Sequence, residues 1–256
     1  MKKVFFKSNN NLQLCGIWHI PKNKTDKAII LAHGITADKD EDGAFVQLAY
    51  ALSKSGFAVL RFDFFGHGES EGKSVDMTIK KEIKDLEAAV LEAKKEYSKI
   101  GLLGASFGGG TSVLYAEENQ EKLVCLCLWN PVLNYEHTFL NPTLPWIRER
   151  IIHMAKDIQE KGWTTLGSKD FVVGKALFDE MKDKKPYEAL KNITIPTLIV
   201  HGDKDKHVPY EDSKEYVQKL KDGKFITISN AEHGFNKKKE TPQAIAETVC
   251  FFNNNF

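Results

Sequence analysis

The sequence has little of what would mark it as anything but an ordinary folded domain. Its four cysteines, Cys15, Cys125, Cys127 and Cys250, are too few and too scattered over 256 residues for a disulfide framework. No His or Cys pair at zinc spacing accompanies them, so no metal is expected, and free thiols of this kind suit a reducing, cytoplasmic compartment. No apolar run approaches the ~20 residues that span a bilayer. The basic start Met1-Lys2-Lys3 is not followed by the apolar stretch of about 7–15 residues that a secretion signal needs. It reads instead as the first strand. Net charge is nearly absent: 36 basic and 35 acidic side chains leave +1. Without a basic excess there is no electrostatic means of gripping a phosphate backbone, so no nucleic-acid partner is expected.

What remains is an ordinary globular composition, 42% hydrophobic and 28% charged. For 28.9 kDa, area scaling gives about 11,000 Å² exposed when folded against about 42,000 Å² unfolded, enough burial for one continuous core. Strand-like and helix-like runs alternate along the chain. Lys27 to His33 is a continuous apolar run of the kind that forms a strand buried on both faces, and Phe57 to Asp63, Ile100 to Leu103, Leu123 to Trp129, Thr197 to His201 and Lys224 to Ser229 also read as strands. Helical spacing falls between them. Asp76 is the expected cap of a helix carrying Ile79, Ile83, Leu86, Val90, Ala93 and Tyr97 inward, and Thr241-Pro242 the expected start of a closing helix. The alternation predicts an α/β fold with a mostly parallel, twisted sheet and helices on both faces. Residues 132–195 break the pattern. They are predicted to form a mostly helical inserted lid over a core made of 1–131 and 196–256, because a structureless loop of that length is implausible.

Gly104-Ala105-Ser106-Phe107-Gly108 lies between a strand and a helix. A sharp turn there would push Ser106 into a strained conformation with its hydroxyl exposed above the sheet, and the glycines would let neighbouring backbone pass close by. A glycine-rich phosphate cradle is the rival reading, but the G-x-G-x-x-G fingerprint and the complete P-loop pattern are both missing. A serine nucleophile needs a base, and of eight histidines His233, between the last strand and the last helix, falls at the same sheet edge. The imidazole in turn needs a carboxylate. The turn after the penultimate strand offers Asp203 and Asp205; Asp205 is favoured as the deeper, though spacing alone does not exclude Asp203. The oxyanion of an acyl-transfer intermediate needs two backbone donors, which are assigned to the N–H groups of Phe107 and of Ile35 in the His33-Gly34-Ile35-Thr36 turn. His201, His207 and His67 read as loop framework.

The order Ser106, Asp205, His233 is that of the α/β-hydrolases. The chain resembles that superfamily over essentially its whole length, through His33-Gly34, Gly66-His67-Gly68-Glu69-Ser70, Gly104 to Gly108, Gly202…Asp205…Val208-Pro209 and His233-Gly234-Phe235. The resemblance places the acid on Asp205. Within the superfamily the chain is most similar to the bacterial cinnamoyl and feruloyl esterases, which share the Gly-His-Gly-x-Ser loop, the Asp76-Met77-Thr78 helix start, the Trp129-Asn130-Pro131 segment and an insertion of similar size. It departs from many of them in having Ala105 and Phe107, where they carry His and Gln. The resemblance implies a serine carboxylesterase that needs no cofactor, acting on uncharged, partly apolar small-molecule esters of the hydroxycinnamoyl type. Tyr135, Trp146 and Trp163 of the insertion are the candidates for binding an aromatic ring or a phenolic hydroxyl. The alternatives are a monoacylglycerol lipase, lysophospholipase or thioesterase with the same three residues, and an inactive hydrolase-like binding protein. A serine aminopeptidase is disfavoured, as no carboxylate cluster for a substrate amine is apparent. A homodimer is left open.

Overall fold

Alternation within single strands divides the interior into two layers. Strand β3 (Lys27–Ala32) sends Ile29 and Leu31 to one face of the sheet and Ala28, Ile30 and Ala32 to the other. Strand β6 (Cys125–Trp129) does the same, with Cys125, Cys127 and Trp129 on the first face and Leu126 and Leu128 on the second. Both faces must therefore be covered. Helices α1 (Ala44–Lys54) and α8 (Glu240–Asn255) cover the first through Phe45, Leu48, Leu52, Ala244 and Phe252. Helices α2 (Ile79–Lys94) and α3 (Ser106–Asn119) cover the second through Ile79, Leu86, Val90, Val113 and Tyr115.

The remaining strands of the main sheet are β1 (Lys2–Lys7), β2 (Gln13–His19), β4 (Ala58–Phe62), β5 (Lys99–Ala105), β9 (Thr197–Gly202) and β10 (Gly223–Ile228). The computed structural model describes residues 1–8, 11–144, 148–167, 171–235 and 240–256, with the backbone alone for 148–150. The eight strands lie in the order β1-β2-β4-β3-β5-β6-β9-β10, with α7 (Tyr210–Tyr216) between the last two. Pairing is antiparallel at β1–β2 and β2–β4 and parallel from β4 onward. From β3 the chain moves one way to β4 and then returns across β3 to β5, so α1 and α3 leave on opposite faces. That reversal opens a crevice at the carboxyl ends of β3 and β5, where open α/β sheets bind their ligands. The exposed surface, 11529 Å², is close to that expected for one folded unit of this size.

Between β6 and β9, residues 132–195 hold α4 (Arg148–Lys161), α5 (Lys175–Asp183) and α6 (Pro186–Ala189). They also form an antiparallel pair, β7 (Trp163–Leu166) and β8 (Phe171–Gly174), which the helical expectation did not include. The buried apolar residues described in this segment, among them Ile151, Met154, Val173, Leu177 and Phe178, join the layer beneath α2 and α3 and, among the described residues, form no separate core. Two local expectations are corrected. The cap of α2 is Thr78, whose hydroxyl accepts from Lys81 N–H, because Asp76 lies in a preceding 3₁₀ turn. Helix α8 already includes Glu240, so Thr241 lies inside it and its hydroxyl donates to Phe235 O.

Candidate active site

Four loops leave the carboxyl edge of the sheet after β3, β5, β9 and β10. The first bend of α3 carries Ser106 at φ 52°, in the left-handed region a serine seldom adopts. The two flanking glycines are needed for contact reasons. A Cβ on Gly104 would stand 2.5 Å from Gly108 O, and one on Gly108 would stand 2.3 Å from His33 O. Ser106 O accepts from Val132 N–H at 2.8 Å, which ties the bend to the segment after β6. As the second residue of α3, Phe107 has an N–H with no intrahelical acceptor.

His233 reaches the serine from the loop after β10. Its Nε2 is 3.0 Å from Ser106 Oγ, and its Nδ1 is 2.6 Å from Asp205 Oδ2. Asp205 is buried in the turn after β9 and is held on both oxygens. Its Oδ1 accepts from His207 N–H at 2.7 Å and Val208 N–H at 2.9 Å; its Oδ2 also meets His201 Nε2 at 3.2 Å. Burial alone would raise its pKa, but the charge and hydrogen bonds of His233 and His201 hold the carboxyl far below the ordinary range. Asp203 points elsewhere, accepting from Asn230 N–H at 2.6 Å. For His233, burial opposes the cation, yet the Asp205 carboxylate and the nearby Glu41 together raise its pKa above the usual histidine value.

The serine and histidine open into a cavity of about 410 Å³, within the range of small-molecule sites. One wall is apolar: Val132, Phe139, Ile151, Met154 and Leu166. Ile35, predicted as an oxyanion donor, lines the cavity. Among the described residues its N–H has no protein acceptor. Of the three aromatic residues predicted to touch substrate, Tyr135 is buried behind the cavity with its ring on Phe107 (5.3 Å between centroids). Trp163 is 41% exposed on β7, away from the lining, and Trp146 lies outside the described residues.

Sequence reasoning missed Glu41 and Asp42, which line the cavity. Glu41 Oε2 accepts from Gly34 N–H at 2.8 Å, and withdrawal from water pushes its pKa up to about 7 against that bond and the charge of His233. The acid-rich run Asp40-Glu41-Asp42 just past the His33-Gly34 turn was the available signal. One trio among the described residues has metal-ligating spacing: Cys15, Asp63 and Glu69. Lys39 Nζ already stands beside two of them, 2.8 Å from Asp63 and 3.0 Å from Glu69, so a cation is supplied by the chain itself.

A parallel-centred sheet covered on both faces, with a serine at a strained strand-to-helix bend, defines an α/β-hydrolase. Residues 23–173 match the family described as serine aminopeptidase, S33, and the chain belongs to that family. Residues 159–255 also match the family of PhoPQ-activated pathogenicity-related protein. Among solved structures, Est1E of Butyrivibrio proteoclasticus bound to ferulic acid is 25% identical with a TM-score of 0.84, covering 98% of each chain. Among curated relatives, 2-hydroxy-6-oxo-6-(2'-aminophenyl)hexa-2,4-dienoic acid hydrolase of Metapseudomonas resinovorans is 23% identical over 80% of this chain and 77% of its own. Esterase EstD of Thermotoga maritima is 25% identical over 75% of this chain. Several relatives are longer: the chain spans 50% of EstD and 28% of the mouse acylamino-acid-releasing enzyme. Family and esterase neighbours together support a serine ester hydrolase. No helix among the described residues is long and apolar enough to cross a membrane.

Proposed function

We propose that the chain hydrolyses uncharged, partly apolar carboxylic esters through an acyl-enzyme on Ser106, with hydroxycinnamoyl esters as the substrate class. The observation that carries this reading is the hydrogen-bonded line from Ser106 Oγ through His233 to buried Asp205. His233 Nε2 takes the serine proton as Oγ attacks the ester carbonyl. The Ile35 and Phe107 N–H groups receive the oxyanion, a contribution of about 3–4 kcal/mol per donor in such sites. The proton then passes from His233 to the leaving alkoxide, and water activated by the same imidazole releases the acid. Asp205 keeps Nδ1 protonated and stabilises the imidazolium. Residues 132–195 act as the lid, their Ile151, Met154 and Leu166 excluding water from the acyl side.

A panel of hydroxycinnamoyl, short-chain and long-chain esters tests the substrate class. The highest kcat/KM is expected on methyl ferulate or a related ester; a preference rising with acyl length would favour the lipase-like alternative that the aliphatic wall also suits. Amino-acid arylamides belong in the same panel, because Glu41 and Asp42 supply carboxylates the sequence reading did not find at the site. Efficient cleavage of those amides over the esters would overturn the proposal.

Activity requires neutral His233, whose pKa lies above the usual value, so kcat/KM is expected to fall as pH drops through a midpoint above that of free imidazole. Glu41→Gln keeps an acceptor for Gly34 N–H but removes the charge that favours the cation, and is expected to move that midpoint downward. A pH–rate profile of the two proteins reads this directly, and an unmoved or raised midpoint would contradict the assigned coupling.

A further inference from the structure

The turn that carries Ile35 is fastened by three side chains, those of Glu41, His33 and His67. Glu41 Oε2 accepts from Gly34 N–H at 2.8 Å. Gly34 O faces His33 Nδ1 at 2.8 Å and also accepts from Ala37 N–H at 3.1 Å. Phe64 N–H donates to His33 Nε2 at 3.1 Å, which leaves the His33 proton on Nδ1. Ile35 O lies 2.8 Å from His67 Nε2. Of the four polar backbone atoms from Gly34 N to Ile35 O, three are tied to side chains. The fourth, Ile35 N–H, is the one a substrate oxygen would use.

The His67 ring is itself well fixed. It is buried, stacked on Phe171 at 4.7 Å between centroids, and meets His33 edge-on at 4.9 Å. Its Nδ1 lies 2.9 Å from Phe65 O, so the ring stands between two carbonyl groups. Burial lowers its pKa despite both carbonyls and the carboxylates of Asp63 and Asp38. The ring belongs to the loop after β4, and no step of the proposed reaction uses it.

We infer that His67 is a positioning residue of the oxyanion site: its Nε2–H holds the Ile35 carbonyl and thereby keeps the preceding N–H aimed at the reacting oxygen. This rests on the reading of Ser106 as nucleophile and Ile35 as donor. Preorganised donors are effective because they need no reorientation as charge develops, so loosening one acts on the transition state more than on the bound ester. The Gly34 carbonyl, receiving two hydrogen bonds, also polarises the peptide whose N–H is used.

Three substitutions test the role. His67→Phe keeps the ring and its stack on Phe171 but has no donor. Glutamine places an amide nitrogen near the position of Nε2, and asparagine near that of Nδ1. His67→Phe and His67→Asn are expected to lower kcat by about 10- to 100-fold with KM within about threefold, somewhat less than deletion of an oxyanion donor costs. His67→Gln is expected to restore kcat to within about threefold of the parent, the pattern of a lost transition-state contact regained. Parental kcat in His67→Phe, a loss expressed in KM, or equal behaviour of the Gln and Asn variants would overturn the inference. Should His67→Phe fail to fold, the Gln and Asn pair decides. Ser106→Ala, run in the same assay, separates the two levels: retained turnover there would overturn the underlying reading of the site instead.

Discussion

Ser106→Ala is expected to lower kcat by about 10⁶-fold, the scale seen when a serine nucleophile is removed from a working unit. The thermal midpoint should stay close to the parent value. Ser106 sits at a bend held by its own carbonyl bond to Val132 N–H and by the close approach of Gly104 and Gly108, and none of these involves the hydroxyl. Steady-state kinetics with a chromogenic ester, together with a thermal melt, checks both halves. Activity within tenfold of the parent would end the acyl-enzyme mechanism.

Asp205→Asn should be the second largest loss, about 10⁴-fold in kcat, by way of the imidazole tautomer. The amides of His207 and Val208 would keep the asparagine oxygen at the place of Oδ1. The new NH₂ then faces His233 Nδ1, which must accept instead of donate. The ring proton moves to Nε2, and Nε2 can no longer take the serine proton. Asp203→Asn makes the control, since an asparagine oxygen can still accept from Asn230 N–H. It should stay within about threefold of the parent, as surface changes away from reacting groups usually do. Equal losses in the two variants would remove the assignment of the acid to Asp205.

The parts of this molecule that could be read from the sequence are those where local pattern and tertiary role coincide. Strands β3 to β6 and β9 are buried, and a continuous apolar run stopped by Gly, Asn or Pro has few other uses. The bend at Ser106 announces itself because glycines on both sides are required by contacts under 3 Å. Where the outcome depends on direction, the sequence is mute. Asp203 and Asp205 differ by two positions in one turn, and only the backbone path sends one toward His233 and the other toward Asn230. Glu41 looks like part of a solvated acidic loop. Left-handed backbone at Glu41, Asp42 and Gly43, with φ of 46°, 49° and 91°, brings the carboxylate back to Gly34.

The segment 132–195 was the hardest to read for a different reason. Trp163 to Leu166 and Phe171 to Gly174 are four-residue strands, too short for alternation to stand out among lysines and glutamates. Aromatic size drew attention to Tyr135, Trp146 and Trp163, yet the described cavity wall is built from Val132, Phe139, Ile151, Met154 and Leu166. Ile151 and Met154 belong to one stripe of α4, and a stripe shows which face is buried without showing what it faces. Tyr135 turns inward instead, where its ring supports Phe107.

The most direct measurement is covalent labelling with a fluorophosphonate followed by peptide mass spectrometry. A hydroxyl activated by a paired imidazole should take one phosphonyl group per chain, on the peptide containing residue 106, with hydrolysis lost in proportion and no label on the Ser106→Ala protein. An unlabelled Ser106 in a chain that still cleaves esters, or label at another residue with loss of activity, would contradict the account.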